Sequence, residues 1–587
     1  MQRSYLTVIA TIIVCCTSLA STQFEIKGKI ALVTGGSRGI GFSIASELLR
    51  NGVKGLTIVG ISVDRGRAAA KSLNEQFGPG KAIFIPADVG DMGQLENAFK
   101  ISIAHWNGLD IIINNAGILN DVNWTVEINT NIVGTLQGTS LGLKYMRKNG
   151  RRRGGVIINI SSIFGIAELV YAPVYSGTKS FIVTLGRALS HSAYYDYNKI
   201  RVITLCPGFT RTDLLDRVVL FNGTSDTFKP GLKEMGLTVV DNTFLQTAEN
   251  VGRGAITVLE EGANGSVWIV DDEQPPYEIE FPKRQYRRRK PVSPSVCSTQ
   301  NRARCIFYGN FYNCFECFQF KDKVALITGG TRGIGYVTAR ELLSNGVKNV
   351  ALVDYNVEKG REAEKMLNEA FGSGRVIFVP ADVTNLGQFD NAFKVTLQHW
   401  NNLDIVVNNA GVSVETNWNR IVNINIRGTI YGTLLGFKYM SKSEKAKGGI
   451  IVNISSYLAI NPMIYVPVYD STKSFVLGLS RALDNAIYYN HSEVRVITLC
   501  PGSTDTEMFS NIGIGASNSL NPRIKEMTND VARSVKTQSA DAVGKGVISA
   551  IEEESNGNVW VVEDYEYYNV VFPDRLSMKK ETLRSST

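Results

Sequence analysis

Tyr175 and Lys179 stand four residues apart, and so do Tyr469 and Lys473. On a helix that spacing puts both side chains on one face, one turn apart. A tyrosine ordinarily ionises near pH 10, and an ammonium one turn away favours its phenolate. Such a phenol can take a proton from an alcohol or return one to a carbonyl oxygen. Ser162 and Ser456 precede these tyrosines by thirteen residues, closing the runs Asn159-Ile160-Ser161-Ser162 and Asn453-Ile454-Ser455-Ser456. A lone Tyr-x-x-x-Lys is more often an amphipathic surface helix than a site, so the surrounding motifs decide.

Those motifs are two glycine-rich loops. Thr34-Gly35-Gly36-Ser37-Arg38-Gly39-Ile40-Gly41 follows the apolar run Ile30-Ala31-Leu32-Val33 and leads into Phe42, Ile44, Ala45, Leu48 and Leu49 at helical spacing. Thr328-Gly329-Gly330-Thr331-Arg332-Gly333-Ile334-Gly335 repeats it. Glycines between a strand and a helix permit a tight turn and let the backbone approach a pyrophosphate seated on the helix N-terminus. Three glycines alone are a weak signal. Followed by Asn114-Asn115-Ala116-Gly117 and Asn408-Asn409-Ala410-Gly411 they become a strong one. The expected dinucleotide contacts are Gly35, Arg38, Gly39, Ile40, Gly41 and Asn115, and in the second copy Gly329, Arg332, Gly333, Ile334, Gly335 and Asn409. Asp88 and Asp382 follow the third strands and are expected at the adenine end. Thr212 and Thr506, beyond Pro207-Gly208 and Pro501-Gly502, should face the nicotinamide carboxamide. Pro207, Pro501, Lys179 and Lys473 complete the expected cofactor set. The positive ring of an oxidised nicotinamide would further favour the phenolate, and hydride could leave for it as the tyrosine takes the proton.

The elements that must position these groups recur in step. Pro173-Val174-Tyr175 returns as Pro467-Val468-Tyr469, and Cys206-Pro207-Gly208 as Cys500-Pro501-Gly502, with a register that slips only near the end. A period this long means duplicated domains. Residues 1–20 read as a secretory signal or an anchor, 24–283 as unit one, 284–317 as a linker without helical or strand period, 318–574 as unit two, and 575–587 as a tail. Within each unit, short apolar runs such as Leu56-Thr57-Ile58-Val59 and Ala82-Ile83-Phe84-Ile85 alternate with helical patterns. The expected fold class is α/β: two tandem Rossmann-like, doubly wound parallel sheets with helices on both faces.

The units differ at the ribose. Unit two has Asp354 at the end of its second strand, where a carboxylate accepts from both ribose hydroxyls and repels a 2′-phosphate, so NAD is expected there. Unit one has Gly60. Arg38, without a nearby acid, could accept a 2′-phosphate, although unit two carries Arg332 at the same place. NADP, weakly held NAD, or no cofactor are all open for unit one.

Both units resemble the short-chain dehydrogenase/reductase family, and within it 15-hydroxyprostaglandin dehydrogenase-like proteins and insect alcohol dehydrogenases. The likeness rests on Asn-Asn-Ala-Gly, Gly-Thr-Leu-Leu-Gly-Phe-Lys-Tyr-Met in unit two and Pro-Val-Tyr-Ser-Gly-Thr-Lys in unit one, and covers both units but not the linker. It implies that Ser162 and Ser456 bond the substrate oxygen, and that Asn131 and Asn425 hold a proton-relay water. With Tyr175, Lys179, Tyr469 and Lys473 these form the expected catalytic sets, acting on a small-molecule alcohol or ketone. Prostaglandin dehydrogenases carry a glutamine three residues before the tyrosine; Ala172 and Val466 stand there, so a hydrophobic secondary alcohol is the expected substrate. The resemblance also implies pairing of the units as an internal pseudo-dimer, or a homo-oligomer. Two other readings stay open: unit one as a structural partner of a catalytic unit two, and a non-enzymatic binder of dinucleotide and hydrophobic ligand. Two adjacent coding regions joined at the linker would give the same sequence.

Composition narrows the rest. With 587 residues, 44% hydrophobic and 20% charged, the chain is ordinary globular protein in more than one domain. The net charge of +8 gathers only at Arg151-Arg152-Arg153 and from Lys283 to Lys290, which read as solvated loops rather than a nucleic-acid surface. The four histidines are scattered, so no catalytic metal is expected. Of the eight cysteines, Cys206 and Cys500 sit in apolar strands; Cys297, Cys305, Cys314 and Cys317 crowd the linker, where they could bind zinc or form disulfides, although an irregular, metal-free segment is the preferred reading. Arg3 and the apolar run Leu6 to Ala20 favour a secreted or endoplasmic reticulum location, with a cytoplasmic one as alternative. No nucleic-acid partner is expected, and no membrane contact beyond an N-terminal anchor.

Overall fold

The computed structural model describes residues 24–147, 154–216, 222–224, 228–282, 304–308, 311–315, 318–444, 446–463, 465–511, 535–553 and 559–580. The apolar N-terminal run, both basic runs, Cys297 and Cys317 lie outside them.

In unit one the strands are β1 (Ile30–Thr34), β2 (Gly55–Gly60), β3 (Ala82–Pro86), β4 (Ile111–Asn114), β5 (Gly155–Ile160), β6 (Ile200–Pro207), β7 (Val267–Val270) and β8 (Tyr277–Ile279). Their order is β3-β2-β1-β4-β5-β6-β7-β8. The first seven run parallel, and their continuous Val/Ile/Leu content matches strands covered on both faces. The eighth is antiparallel, a departure from the all-parallel expectation. The tight return after β7, with Asp272 and Glu273 at positive φ, leaves no room for a crossover helix, so the chain can only double back.

The covering helices are α1 (Gly39–Arg50), α2 (Val63–Phe77), α3 (Met92–Trp106), α4 (Gly134–Met146), α5 (Pro173–Ala188), α6 (Ser192–Asn198), α7 (Leu232–Asp241) and α8 (Ala248–Glu261). A hairpin follows, β9 (Arg304–Tyr308) antiparallel to β10 (Phe311–Phe315), with Cys305 in register with Cys314. This corrects the expectation of a linker without strands. Two apolar, β-prone runs separated by Gly309 and Asn310 carry a hairpin signal that the surrounding basic and proline-rich composition obscures.

Unit two repeats the sheet as β11 (Val324–Thr328), β12 (Asn349–Asp354), β13 (Val376–Pro380), β14 (Ile405–Asn408), β15 (Gly449–Ile454), β16 (Val494–Pro501), β17 (Val559–Glu563) and antiparallel β18 (Glu566–Val570). Its described helices include α9 (Gly333–Ser344), α10 (Val357–Phe371), α11 (Leu386–Trp400), α12 (Thr429–Met440), α13 (Pro467–Leu483), α14 (Ala486–Ser492) and α15 (Ala540–Glu552).

The two units meet along α5 and α13. Gly177 makes the close approach possible: a Cβ there would lie 2.7 Å from the Phe475 ring. Thr184 and Ser474 share a hydroxyl hydrogen bond of 2.8 Å, Arg187 donates to the Ile460 carbonyl (3.2 Å), and Arg481 donates to that of Ile166 (3.3 Å). One apolar core, including Phe181, Leu185, Phe475 and Leu479, runs through both units. Residues 575–580, at the start of the expected tail, return to unit one. Arg575 pairs with Asp271 (2.5 Å), Lys580 with Glu278 (3.0 Å), and Met578 is buried beside Ile163 and Ile279. Among the described residues no helix is long and apolar enough to cross a membrane.

Candidate active site

Each glycine-rich loop lies where β1 or β11 ends and α1 or α9 begins. Gly329 and Gly333 have φ of +61° and +53°, in the left-handed region that favours glycine. At Gly335 a Cβ would come within 2.2 Å of the Gly329 carbonyl oxygen. The Asn409 amide braces this loop. It donates to the Thr328 and Gly329 carbonyls (2.9 and 3.1 Å), while Thr328 Oγ1 accepts from the Asn409 and Ala410 N–H groups (both 3.0 Å). Asn115 and Thr34 repeat the arrangement in unit one. The asparagine amides hold both glycine-rich loops in place. The two threonines were missed; each sits at a strand end, where only the fold brings it opposite the Asn-Asn-Ala-Gly segment.

In unit two a cavity of about 790 Å³ opens above this loop. Of the residues expected there, Gly329, Arg332, Gly333, Ile334, Asp354, Asp382, Asn409, Ser456, Tyr469, Lys473, Pro501 and Thr506 line it. Gly335 and Asn425 do not line it. Asp354 is buried, accepting from Thr331 Oγ1 (2.7 Å) and the Asn356 N–H (3.1 Å). Its counterpart Gly60 offers no side chain. Arg38 is not without an acid, as expected, but pairs with exposed Asp213 at 2.6 Å. Arg332 pairs in the same way with Glu507, which Lys359 also approaches at 3.3 Å. Both arginines therefore have acidic neighbours, and the contrast between the units rests on Asp354 against Gly60. Asp88 and Asp382 are exposed and cap their own turns. Thr212 and Thr506 lie over Gly39 and Gly333.

The proposed proton-transfer groups converge in both units. Ser162 lies close enough to the Tyr175 phenol to favour its ionised form, and Ser456 does the same for Tyr469. Lys179 Nζ lies 5.4 Å from the Tyr175 ring centre and donates to the Ile160 carbonyl (3.3 Å). Lys473 Nζ lies 5.7 Å from the Tyr469 ring centre and donates to the Ile454 carbonyl (2.9 Å). Burial pulls both ammonium groups down to about 8 and pushes both phenols above their ordinary value. The expected phenolate rests on the lysine and a bound, positive nicotinamide ring together. Among the protein's own influences on both phenols, desolvation is the largest.

Asn131 and Asn425 lie in π-helical turns, Asn129–Val133 and Val422–Gly428. Their side chains grip the backbone after the Asn-Asn-Ala-Gly segment. Asn131 accepts from the Ile118 N–H and donates to the Ile118 carbonyl (both 2.9 Å), and Asn425 does the same with Val412 (2.8 and 3.0 Å). Each remains beside its lysine: a Cβ on Gly117 would lie 3.4 Å from both Asn131 Oδ1 and Lys179 Nζ.

Two buried carboxyl groups had no motif to announce them. Asp121 accepts from the N–H groups of Val174 (2.9 Å) and Tyr175 (3.1 Å), and Glu415 from those of Val468 (3.2 Å) and Tyr469 (2.7 Å). They satisfy donors left open in the first turn of α5 and α13 and hold the tyrosine backbones. Burial raises Asp121 and lifts Glu415 to about 8, despite the two N–H bonds to each. Unit one adds Glu127, also raised by burial and bonded to Asp121, where unit two has Ile421.

The short chain dehydrogenase family matches residues 29–221 and 323–515, once in each unit. The chain belongs to the short chain dehydrogenase family. Among related proteins, human 15-hydroxyprostaglandin dehydrogenase [NAD(+)] is 36% identical over 238 residues, 40% of this chain and 89% of the relative. Alcohol dehydrogenase 1 of Ceratitis capitata is 32% identical over 239 residues, 41% of this chain and 91% of the relative. The N-domain of a bacterial malonyl-CoA reductase, solved with NADP, covers 92% of this chain and 98% of its own at a TM-score of 0.63. At 14% identity this last likeness speaks for the fold alone, and it extends across both short chain dehydrogenase units.

Proposed function

We propose that the chain transfers hydride between a nicotinamide cofactor and the CH–OH group of a hydrophobic secondary alcohol, or its ketone. The observation that carries this reading is the meeting of Ser456, Tyr469 and Lys473 with the glycine-rich loop around one cavity. The cavity, the glycine cradle at a helix N-terminus and the Asp354 carboxylate suit an adenine dinucleotide. When bound, that cofactor supplies the hydride acceptor and a positive ring beside the phenol. Ser456 then holds the alcohol oxygen, and Tyr469 takes the hydroxyl proton as the carbinol carbon gives up its hydride. Lys473 steadies the phenolate, and Glu415 fixes the tyrosine backbone. Asp354 argues for NAD in unit two; Gly60 argues for NADP, or weaker NAD, in unit one. The decisive experiment follows NADH formation by the full chain across secondary alcohols, with Tyr469→Phe as control. Absence of turnover on every alcohol despite NAD binding would replace this reading with that of a dinucleotide-binding protein.

A second reading has specific support: only unit two is catalytic, and unit one braces it as an internal pseudo-dimer partner. Unit one lacks the ribose carboxylate, and α7 packs Val240 into the cluster that holds Tyr175. Activity that survives Tyr175→Phe unchanged would favour it.

A further inference from the structure

Tyr171 carries a hydroxyl with nothing to bond. The residue is 1% exposed, and its oxygen has no hydrogen-bond partner. Its ring lies against the backbone of α7, where a Cβ on Gly236 would stand 3.0 Å from Tyr171 Cδ2. Leu119, Leu169 and Val240 close the cluster around it, together with Tyr175. Burial pushes the Tyr171 phenol well above its ordinary value, and it lies near enough to Tyr175 for a charge on one to be felt by the other. A sealed, unbonded hydroxyl is costly, and one beside a catalytic group calls for a functional reason.

Unit two places the same residue type at the same step. Tyr465 stands four residues before Tyr469, is half-buried, and lines the cavity with Ser456 and Tyr469. The neighbouring position holds Ala172 or Val466, neither of which can hydrogen-bond through its side chain. At this step of the chain only the tyrosine carries a side-chain hydrogen-bonding group.

We propose that Tyr171 and Tyr465 determine specificity, each donating a hydrogen bond to a second oxygen on the substrate close to the reacting one: Tyr465 directly in its cavity, and Tyr171 once a substrate parts the α7 packing that seals its hydroxyl. The preferred substrates are then hydrophobic molecules with an oxygen function beside the carbinol, such as vicinal diols and hydroxyketones, rather than plain secondary alcohols. This rests on the dehydrogenase reading above and narrows it.

The test compares a secondary octanol with the vicinal octanediol that adds one neighbouring hydroxyl. Tyr171→Phe is introduced into the full chain carrying Tyr469→Phe, and Tyr465→Phe into the chain carrying Tyr175→Phe, so that each unit is read alone. In any unit that turns over, the diol-to-octanol ratio of kcat/KM should fall by about 3–10-fold, the worth of one neutral hydrogen bond. Tyr171→Phe should also raise Tm by about 2–4 °C, because it removes an unbonded buried group. An unchanged ratio in every active unit, or equal losses on both substrates with a lower Tm, overturns the proposal and leaves the dehydrogenase reading standing. Absence of turnover of both substrates by both single-unit chains overturns the two together.

Discussion

The Tyr488 hydroxyl, in unit two, donates its hydrogen bond to the Val170 carbonyl in unit one. Val170 immediately precedes Tyr171, in the segment that leads into α5. Tyr488 is fully buried, ringed by Phe228 and Phe437, and near enough to Asp121 for its charge to matter. One unit thus supports the entry to the other's tyrosine helix. Tyr488→Phe is expected to lower kcat/KM of unit one about 3–10-fold and to leave unit two unchanged. Assays in the Tyr469→Phe and Tyr175→Phe chains separate the two; equal losses in both would reduce the contact to general packing.

The two tyrosines should act independently. Tyr175→Phe and Tyr469→Phe are each expected to remove about 10²–10⁴-fold from the rate of their own unit, and the double variant should be inactive. Because each phenol is buried, far-ultraviolet circular dichroism should be unchanged by the loss of one oxygen.

Cofactor choice should follow one carboxylate. Asp354→Ala is expected to weaken NAD binding to unit two by about 10–100-fold, the worth of hydrogen bonds to a charged group. Gly60→Asp should strengthen NAD and weaken NADP at unit one. Titration of protein fluorescence with each dinucleotide reads both outcomes.

Glu415 makes stability depend on pH. Burial lifts its folded value to about 8, well above the ordinary glutamate range near 4.5. With the folded value above the unfolded one, its contribution is fully present below about pH 4.5 and is lost as pH rises through about 8. Glu415→Gln should flatten that decline by up to about 1.4 kcal/mol per pH unit. Urea midpoints measured between about pH 5 and pH 8 give the comparison; identical slopes in both proteins would sink the assignment.

The junction between units should tolerate no added bulk at Gly177. Gly177→Val drives a side chain into the Phe475 ring and is expected to cost about 1–3 kcal/mol, read as a lower Tm of the full chain.

The alternation of apolar runs with helical spacing, the glycine-rich turns, and the Ser, Tyr and Lys positions were all legible in the sequence. Each is a local pattern, in which a few neighbouring residues fix a backbone turn or a helix face. The duplication was legible too, because a repeated chain repeats its motifs in step. What sequence could not carry was distance between residues far apart. Asp213 beside Arg38, Asp121 and Glu415 beneath the tyrosine helices, and the return of residues 575–580 to unit one depend on how finished elements pack. Charge balance followed the same division. The four-residue step from tyrosine to lysine announced an attraction, but only the closed fold set how much water each group lost. Desolvation is the largest influence on each, raising the phenols and lowering the ammonium groups.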